Sequence, residues 1–225
     1  MNNSFFITGT DTHIGKTEIT CALIEFFKKK GHLAIGMKPV AAGTELIDNQ
    51  IINSDVHKFL SINSIKKSSE IINPYSFDQA IAPHIASNSL SNKIFLSKIY
   101  ENFLLLEKEC DYLFVEGAGG YKVPLTDNKS IPDLISHLKI PIILVVGIRL
   151  GCINHAMLTV ESINNHNHNL FGWVANCVDS NMYEIDENIK YLKDNIESPF
   201  IGKVPFQKEI NSIKISDYLF WPGSL

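Results

Sequence analysis

The sequence predicts an α/β fold, a three-layer sandwich with a mostly parallel central sheet and helices on both faces, in a single domain over residues 1–225. Three observations lead there. Short apolar runs alternate with longer amphipathic stretches along the chain, the pattern of strands joined by crossover helices. Two of those runs, Tyr112-Leu113-Phe114-Val115 and Pro141-Ile142-Ile143-Leu144-Val145-Val146, are continuously apolar, as central strands covered on both faces must be. No repeat, linker or low-complexity segment interrupts the alternation, and 45% hydrophobic with 20% charged residues is an ordinary globular composition.

The elements follow in order. Phe5 to Thr8 reads as the first strand. Thr17 to Lys30 is a helix with Ile19, Leu23, Ile24, Phe26 and Phe27 at helical spacing, ending in Lys28-Lys29-Lys30-Gly31. Those lysines suit the negative end of the helix dipole as a solvated helix end, with Gly31 as the stop. Leu33 to Met37 is the second strand, halted by Pro39. Glu45 to Ser69 is the least regular stretch and reads as an insertion on the active-site side. Ser91 to Lys108 is a long helix, and a short one lies around Asp133 to Leu138. Helix Ile153 to Asn164, strand Leu170 to Ala175, helix Ile185 to Ile196 and strand Phe200 to Gly202 complete the series.

Composition narrows the partners. Twenty basic against 24 acidic side chains leave a net charge of −4, which argues against a general binder of nucleic acid or anionic membrane. No apolar run approaches the ~20 residues of a bilayer span. The opening Met1-Asn2-Asn3-Ser4-Phe5-Phe6-Ile7 lacks the basic start of a signal peptide. Cys21, Cys110, Cys152 and Cys177 are far apart, with no spacing suited to zinc, and Cys21 and Cys110 read as small buried apolar residues. A cytoplasmic domain is expected. His166 and His168 read as part of a polar helix-to-strand loop rather than as metal ligands.

The strongest chemical signal is Gly9-Thr10-Asp11-Thr12-His13-Ile14-Gly15-Lys16-Thr17, set between strand and helix. Consecutive N–H groups at such a loop cradle phosphate oxygens. Gly15 allows close approach, Lys16 reaches the terminal phosphates, and the Thr17 hydroxyl is placed for Mg²⁺. Five residues separate Gly9 from Gly15, one more than in the usual phosphate loop, so context rather than spacing identifies it. Glu116, in Val115-Glu116-Gly117-Ala118-Gly119-Gly120, follows a buried strand and offers the acidic group that a metal needs. Asp55 in Asn53-Ser54-Asp55 is a candidate third ligand, with a helix N-cap as its plainer reading.

Lys38, after the second strand, should share the phosphate loop's edge of the sheet and can neutralise a transferring phosphoryl group. His84, in Ala82-Pro83-His84, has comparable standing. Gly151-Cys152-Ile153-Asn154 opens a helix whose free N–H groups suit a carboxylate. Asn176 offers an amide to a nucleobase. No guanine-reading Asn-Lys-x-Asp run occurs, so ATP is the expected nucleotide.

With these motifs the chain resembles the dethiobiotin synthetase family of P-loop NTPase-like enzymes. The resemblance is carried by Gly9 to Thr17, Gly36-Met37-Lys38-Pro39-Val40, Asn53-Ser54-Asp55, Asn73-Pro74-Tyr75, Pro83-His84-Ile85, Val115 to Gly120, Leu150 to Ala156 and Gly172-Trp173-Val174-Ala175-Asn176. It covers about Phe5 to Pro205, in the family's order. It implies ATP- and Mg²⁺-dependent ring closure of 7,8-diaminopelargonate with CO₂, in a homodimer. By the same resemblance His13, Ile14, Gly15, Lys16, Thr17, Glu18, Gly117, Ala118 and Gly119 surround the nucleotide. Asn176 and Pro205-Phe206-Gln207 contact adenine, and Thr17, Asp55 and Glu116 hold Mg²⁺. Lys16 and Lys38 are the catalytic cations. Thr12, Lys38 and Ala42 face the substrate, while Gly151, Cys152, Ile153 and Asn154 of the partner subunit receive its carboxylate. Ala42 departs from a common family serine, and Cys177 stands where an acidic residue is common. The rival reading is a P-loop switch ATPase of the partitioning or septum-site type. Such proteins usually carry an extra lysine early in the loop and often end in a basic membrane-binding helix, and this chain has neither.

Overall fold

The computed structural model describes residues 3–87 and 93–223. Strand β1 (Asn3–Gly9) feeds helix α1 (Lys16–Lys28) and strand β2 (Ala34–Met37). A side region follows, with β3 (Val40–Ala42), β4 (Glu45–Ile47), β5 (Gln50–Ile52), α2 (Ser54–Ile62), α3 (Ser69–Ile72), β6 (Tyr75–Phe77) and α4 (Pro83–Ala86). The chain then runs through α5 (Leu96–Glu107), β7 (Tyr112–Glu116), α6 (Ile131–Leu138), β8 (Ile142–Ile148), α7 (Cys152–Asn165), β9 (Leu170–Cys177), α8 (Ile185–Asn195), β10 (Phe200–Val204) and α9 (Ser212–Ser216).

Six strands form one parallel sheet in the order β10-β9-β8-β1-β7-β2. The crossover from β1 to β2 runs toward one edge, whereas those entering β7, β8, β9 and β10 run toward the other. Right-handed crossovers in opposite directions place their helices on opposite faces. Hence α1 covers one face, and α5, α6, α7 and α8 cover the other. The phosphate loop leaves β1 at this reversal, between β7 and β8, where open α/β sheets take their ligands.

Parallel register does the rest. Ile7 pairs with Glu116 and Met37 with Val115, so Lys38 arrives level with Glu116 at the sheet's carboxyl rim. The small β3–β6 sheet continues from Lys38-Pro39 and carries Ala42 outward.

Several expectations need correcting. Residues 45–69 are more regular than their sequence suggests: β4 and β5 form a hairpin whose turn residues Asp48 and Asn49 both have positive φ, and α2 follows. The helix expected over 91–108 begins at Leu96; Ser91 and Asn92 lie outside the described residues. Phe95 sits at its N-cap position and Ile94 is buried ahead of it. The lysine run is not simply solvated. Lys28 Nζ pairs with Glu25 at 2.6 Å and donates to the Ile62 carbonyl, while Lys29 Nζ holds Asp217 at 2.6 Å and the Ile213 carbonyl at 2.9 Å. Lys29 thereby ties α9 to the end of α1.

That contact helps seal an aromatic cluster beneath α1. Phe27 stacks on Tyr112 with centroids 3.5 Å apart and meets Trp221 edge-on at 4.8 Å, and Phe5 meets Trp221 at 5.0 Å. Phe27 is fully buried. Phe27→Ala should cost about 3–5 kcal/mol, the usual range for emptying a core phenylalanine site, read as a lower urea midpoint at unchanged slope.

Candidate active site

The loop from Gly9 to Thr17 closes through its own backbone and through charge. Gly15 caps α1 at φ 81°, and a Cβ there would stand 2.3 Å from Asn176 Nδ2, so both conformation and space require glycine. The Asp11 carboxylate accepts from Thr12 N at 2.7 Å and pairs with Arg149, while the Asp11 carbonyl accepts from Lys16 Nζ at 2.7 Å. Arg149 thus ties the loop to the chain entering α7.

Beside the loop lies a cavity of about 900 Å³ whose walls include Lys16, Thr17, Lys38, Asp55, Lys58 and Glu116. Its centre is the Lys38 ammonium, 2.5 Å from Glu116 Oε1 and 2.9 Å from Asp55 Oδ2. Glu116 is fully buried and well satisfied: Thr17 Oγ1 donates to Oε1 at 2.8 Å, and Thr20 Oγ1 lies 2.8 Å from Oε2. Burial by itself would lower the Lys38 pKa, but the two carboxylates outweigh it and the net direction is upward. Burial would likewise raise Asp55. The Lys38 charge and the hydrogen bonds from Lys38 and Thr17 overcome that effect and hold it below the usual carboxylate range.

Lys16 behaves oppositely. Burial, reinforced by the neighbouring Lys38 charge and opposed first by Glu116, lowers its pKa to about 8. Its ammonium donates to the neutral Asp11 carbonyl, and among the described residues it forms no ion pair, so the more distant carboxylates hold its proton only weakly.

Two motifs prove to be supports. Asn73 Nδ2 donates to the Lys38 carbonyl at 2.6 Å and to that of Tyr75 at 3.0 Å, fixing the backbone under the lysine. Asn53 caps α2 by accepting from Asp55 N at 3.0 Å, and its amide donates to Gly43 O at 2.7 Å. Asn53, rather than Asp55, is therefore the N-cap, and the Asp55 carboxylate turns to Lys38.

Thr12, His13, Gly15, Lys16, Thr17, Glu18, Lys38, Ala42, Asp55, Glu116, Ala118 and Gly119 all line the cavity. Other candidates stand elsewhere. Ile14 is buried beneath the loop, and Gly117 packs on the Phe6 ring. Asn176 donates to the Ile14 carbonyl at 2.8 Å, which commits its amide nitrogen to the loop. Pro205, Phe206 and Gln207 follow β10, with Phe206 exposed. Gly151 to Asn154 begin α7 outside the cavity, Gly151 at φ 90° and Leu150 before it 91% exposed. His84 Nδ1 is buried with no hydrogen-bond partner among the described residues. His168 bridges Tyr121 and Ser136, each at 2.8 Å, as a structural loop residue.

Sequence reading missed Thr20 and Lys58. Thr20 lies one turn beyond Thr17 on the same face of α1, and that spacing was available as a signal. Among the described residues no group of three or more His, Cys, Asp or Glu side chains is placed to hold a metal by itself. The hydroxyl of Thr17 with the carboxylates of Glu116 and Asp55 is a partial, hard-oxygen set. It fits Mg²⁺, which keeps several waters and takes its remaining ligands from phosphate oxygens.

Fold and site together define a P-loop enzyme with a lysine–carboxylate centre beside its phosphate loop. The solved structures most like it in architecture include MinD of Aquifex aeolicus and the septum site-determining protein MinD of Pyrococcus horikoshii complexed with Mg-ADP. The first shows 13% identity and a TM-score of 0.55, covering 96% of this chain and 86% of that one. The second shows 15% and 0.56, covering 91% and 82%. At those identities they establish the fold alone. A family profile described as an AAA domain matches residues 3–214. The ATP-dependent dethiobiotin synthetase BioD of Wigglesworthia glossinidia brevipalpis is 45% identical over 224 residues, 98% of each chain. That of Aromatoleum aromaticum is 40% identical over 220 residues, again 98% of each. The chain belongs to the dethiobiotin synthetase family, a family of ATP-dependent synthetases.

The two lysines should separate by pH. A phosphate favours charged Lys16, so ADP affinity should fall as pH rises above about 8, approaching tenfold per unit for one proton, whereas Lys38 stays charged throughout. Calorimetric titration with ADP from pH 7 to 9.5 reads this directly, and a flat profile would contradict the Lys16 assignment.

Proposed function

We propose that the chain catalyses the ATP- and Mg²⁺-dependent closure of 7,8-diaminopelargonate with CO₂ to dethiobiotin, ADP and phosphate, a ligase step of biotin biosynthesis. The observation that carries the reading is the convergence of Lys16, Lys38, Glu116 and Asp55 on one cavity at the phosphate loop. One amine of the substrate adds to CO₂ and forms a carbamate. A carbamate oxygen attacks the γ-phosphorus and ADP leaves, which gives a carbamic-phosphoric anhydride. The second amine then attacks the carbamoyl carbon, expelling phosphate and closing the cyclic urea.

Both reactants of the phosphoryl step are anions, and positioned cations remove the repulsion between them. Lys16 would bind the phosphates. Lys38, kept charged by its carboxylate neighbours, acts as an electrostatic clamp on the carbamate and the transferring group and not as a proton acceptor. Thr17, Asp55 and Glu116 would hold Mg²⁺, which when bound neutralises charge developing on the phosphates. The loop N–H groups from His13 to Thr17, with Glu18, would surround the phosphates, and Gly117 to Gly119 would border the γ-phosphate. Asn176 keeps its Oδ1 for adenine, beside Pro205-Phe206-Gln207. Thr12 and Ala42 line the substrate side.

We further propose a homodimer. The α7 start at Gly151 to Asn154 stands outside this chain's own cavity, which supports its donation to a partner's substrate carboxylate. Among the described residues no helix is long and apolar enough to cross a membrane.

The decisive assay supplies the diamine, bicarbonate and ATP, and measures phosphate release together with dethiobiotin. Release should depend on the diamine; hydrolysis indifferent to it would favour the switch-ATPase reading. Lys38→Ala should lower turnover by about 10²–10³-fold, the usual loss when one transition-state charge partner is removed, while ADP binding remains measurable. Turnover close to wild type in that variant would remove Lys38 from the step. In Glu116→Gln the Mg²⁺ titration should move to higher concentration.

A further inference from the structure

The cavity contains a third lysine that the proposed reaction does not use. Lys58 lies one helical turn beyond Asp55 on α2, lines the cavity, and forms an ion pair with Glu18. Glu18 is the residue after Thr17 in the first turn of α1, and its side chain is 14% exposed. The pair therefore joins the two helices that bring Thr17 and Asp55 together.

We propose that Lys58 is a positioning residue for the divalent-cation site: through Glu18 it clips the middle of α2 to the first turn of α1 and sets Asp55, one turn away, against Thr17. The inference rests on the reading of Thr17, Asp55 and Glu116 as the Mg²⁺ ligands.

Two features make the clip specific to that task. The far end of α2 is held separately, where Lys28 of α1 reaches the Ile62 carbonyl at 3.0 Å, so the Glu18–Lys58 pair at mid-helix is the α1 contact nearer Asp55. Asn53 orients the α2 backbone from the β3 side but makes no contact with α1 among its hydrogen bonds to Asp55, Val56, Ala42 and Gly43. A carboxylate fixed in place before the cation arrives binds it more tightly than one that must be ordered.

The test measures metal binding without turnover. ADP affinity is determined calorimetrically, first in EDTA and then across an Mg²⁺ series, for wild type, Lys58→Met, Lys58→Arg and Asp55→Asn, with thermal melting to verify folding. Lys58→Met should raise the Mg²⁺ concentration for half-maximal effect by about tenfold, as loss of a ligand-orienting partner does, and leave ADP affinity in EDTA within about twofold. Lys58→Arg, which keeps the ion pair, should restore the wild-type value. A shift with Asp55→Asn but none with Lys58→Met overturns the clip and leaves the metal reading standing. No shift with either variant overturns both. Weaker ADP binding in EDTA with Lys58→Met would mean that Lys58 touches the phosphates directly, which also overturns the proposal.

Discussion

One buried ion triad governs this site: the Lys38 ammonium between the carboxylates of Glu116 and Asp55. Glu116 ends a fully buried strand, and a carboxylate there without compensation would cost several kcal/mol. The fold meets that cost from two directions, with the lysine that follows β2 and hydroxyls from α1, while the Asp55 carboxylate of α2 is the lysine's second partner. Each partner depends on a different long-range constraint. Lys38 depends on β2–β7 register, Thr17 and Thr20 on α1 leaving the phosphate loop, and Asp55 on the capping of α2 by Asn53. Breaking any one leaves a buried charge short of partners, so the site and the sheet edge are stabilised together.

The parts of this arrangement that were legible in the sequence are those that parallel-sheet geometry dictates. Continuous apolar runs located β7 and β8, and the chain order put the loop, Lys38 and Glu116 on one rim. The rest eluded pattern reading for identifiable reasons. The strands β4 and β5 are exposed on most positions, so no hydrophobic alternation marks them. Helices α3 and α4 have four residues each, too few for a helical period to register. Asn73 and Asn53 stood out as motif residues, yet their work, holding the Lys38 backbone and capping α2, is a matter of side-chain hydrogen bonds that no local pattern encodes. Lys58 fell within the stretch that read as irregular, so no helical pattern singled it out.

Architecture and chemistry are separable here. The solved septum-site proteins share the overall fold at low identity, and that likeness reaches no further than the scaffold. In this chain the region between β2 and α5 supplies Asp55 and Lys58 and, through Asn73, fixes the backbone of Lys38. A scaffold that binds nucleotide at a topological switch point thus acquires its particular chemistry from one side region laid over the same rim.

Charge balance within the cavity bears on why a divalent cation belongs in the proposed reaction. Three lysines, Lys16, Lys38 and Lys58, line it against four carboxylates, Glu18, Glu45, Asp55 and Glu116. Two of the ammonium groups are already committed to carboxylates, and the third is the one whose proton burial has loosened. The walls therefore present little net positive field to a nucleotide and a carbamate that together add several negative charges. Loop N–H groups contribute partial charges only. A cation placed on the Asp55 and Glu116 oxygens would supply the missing charge and, in the same step, release Lys38 from full engagement with them. On that proposal the two carboxylates hold the Lys38 ammonium in place beside the phosphate loop, and a metal binding them would free its charge for the substrate anions.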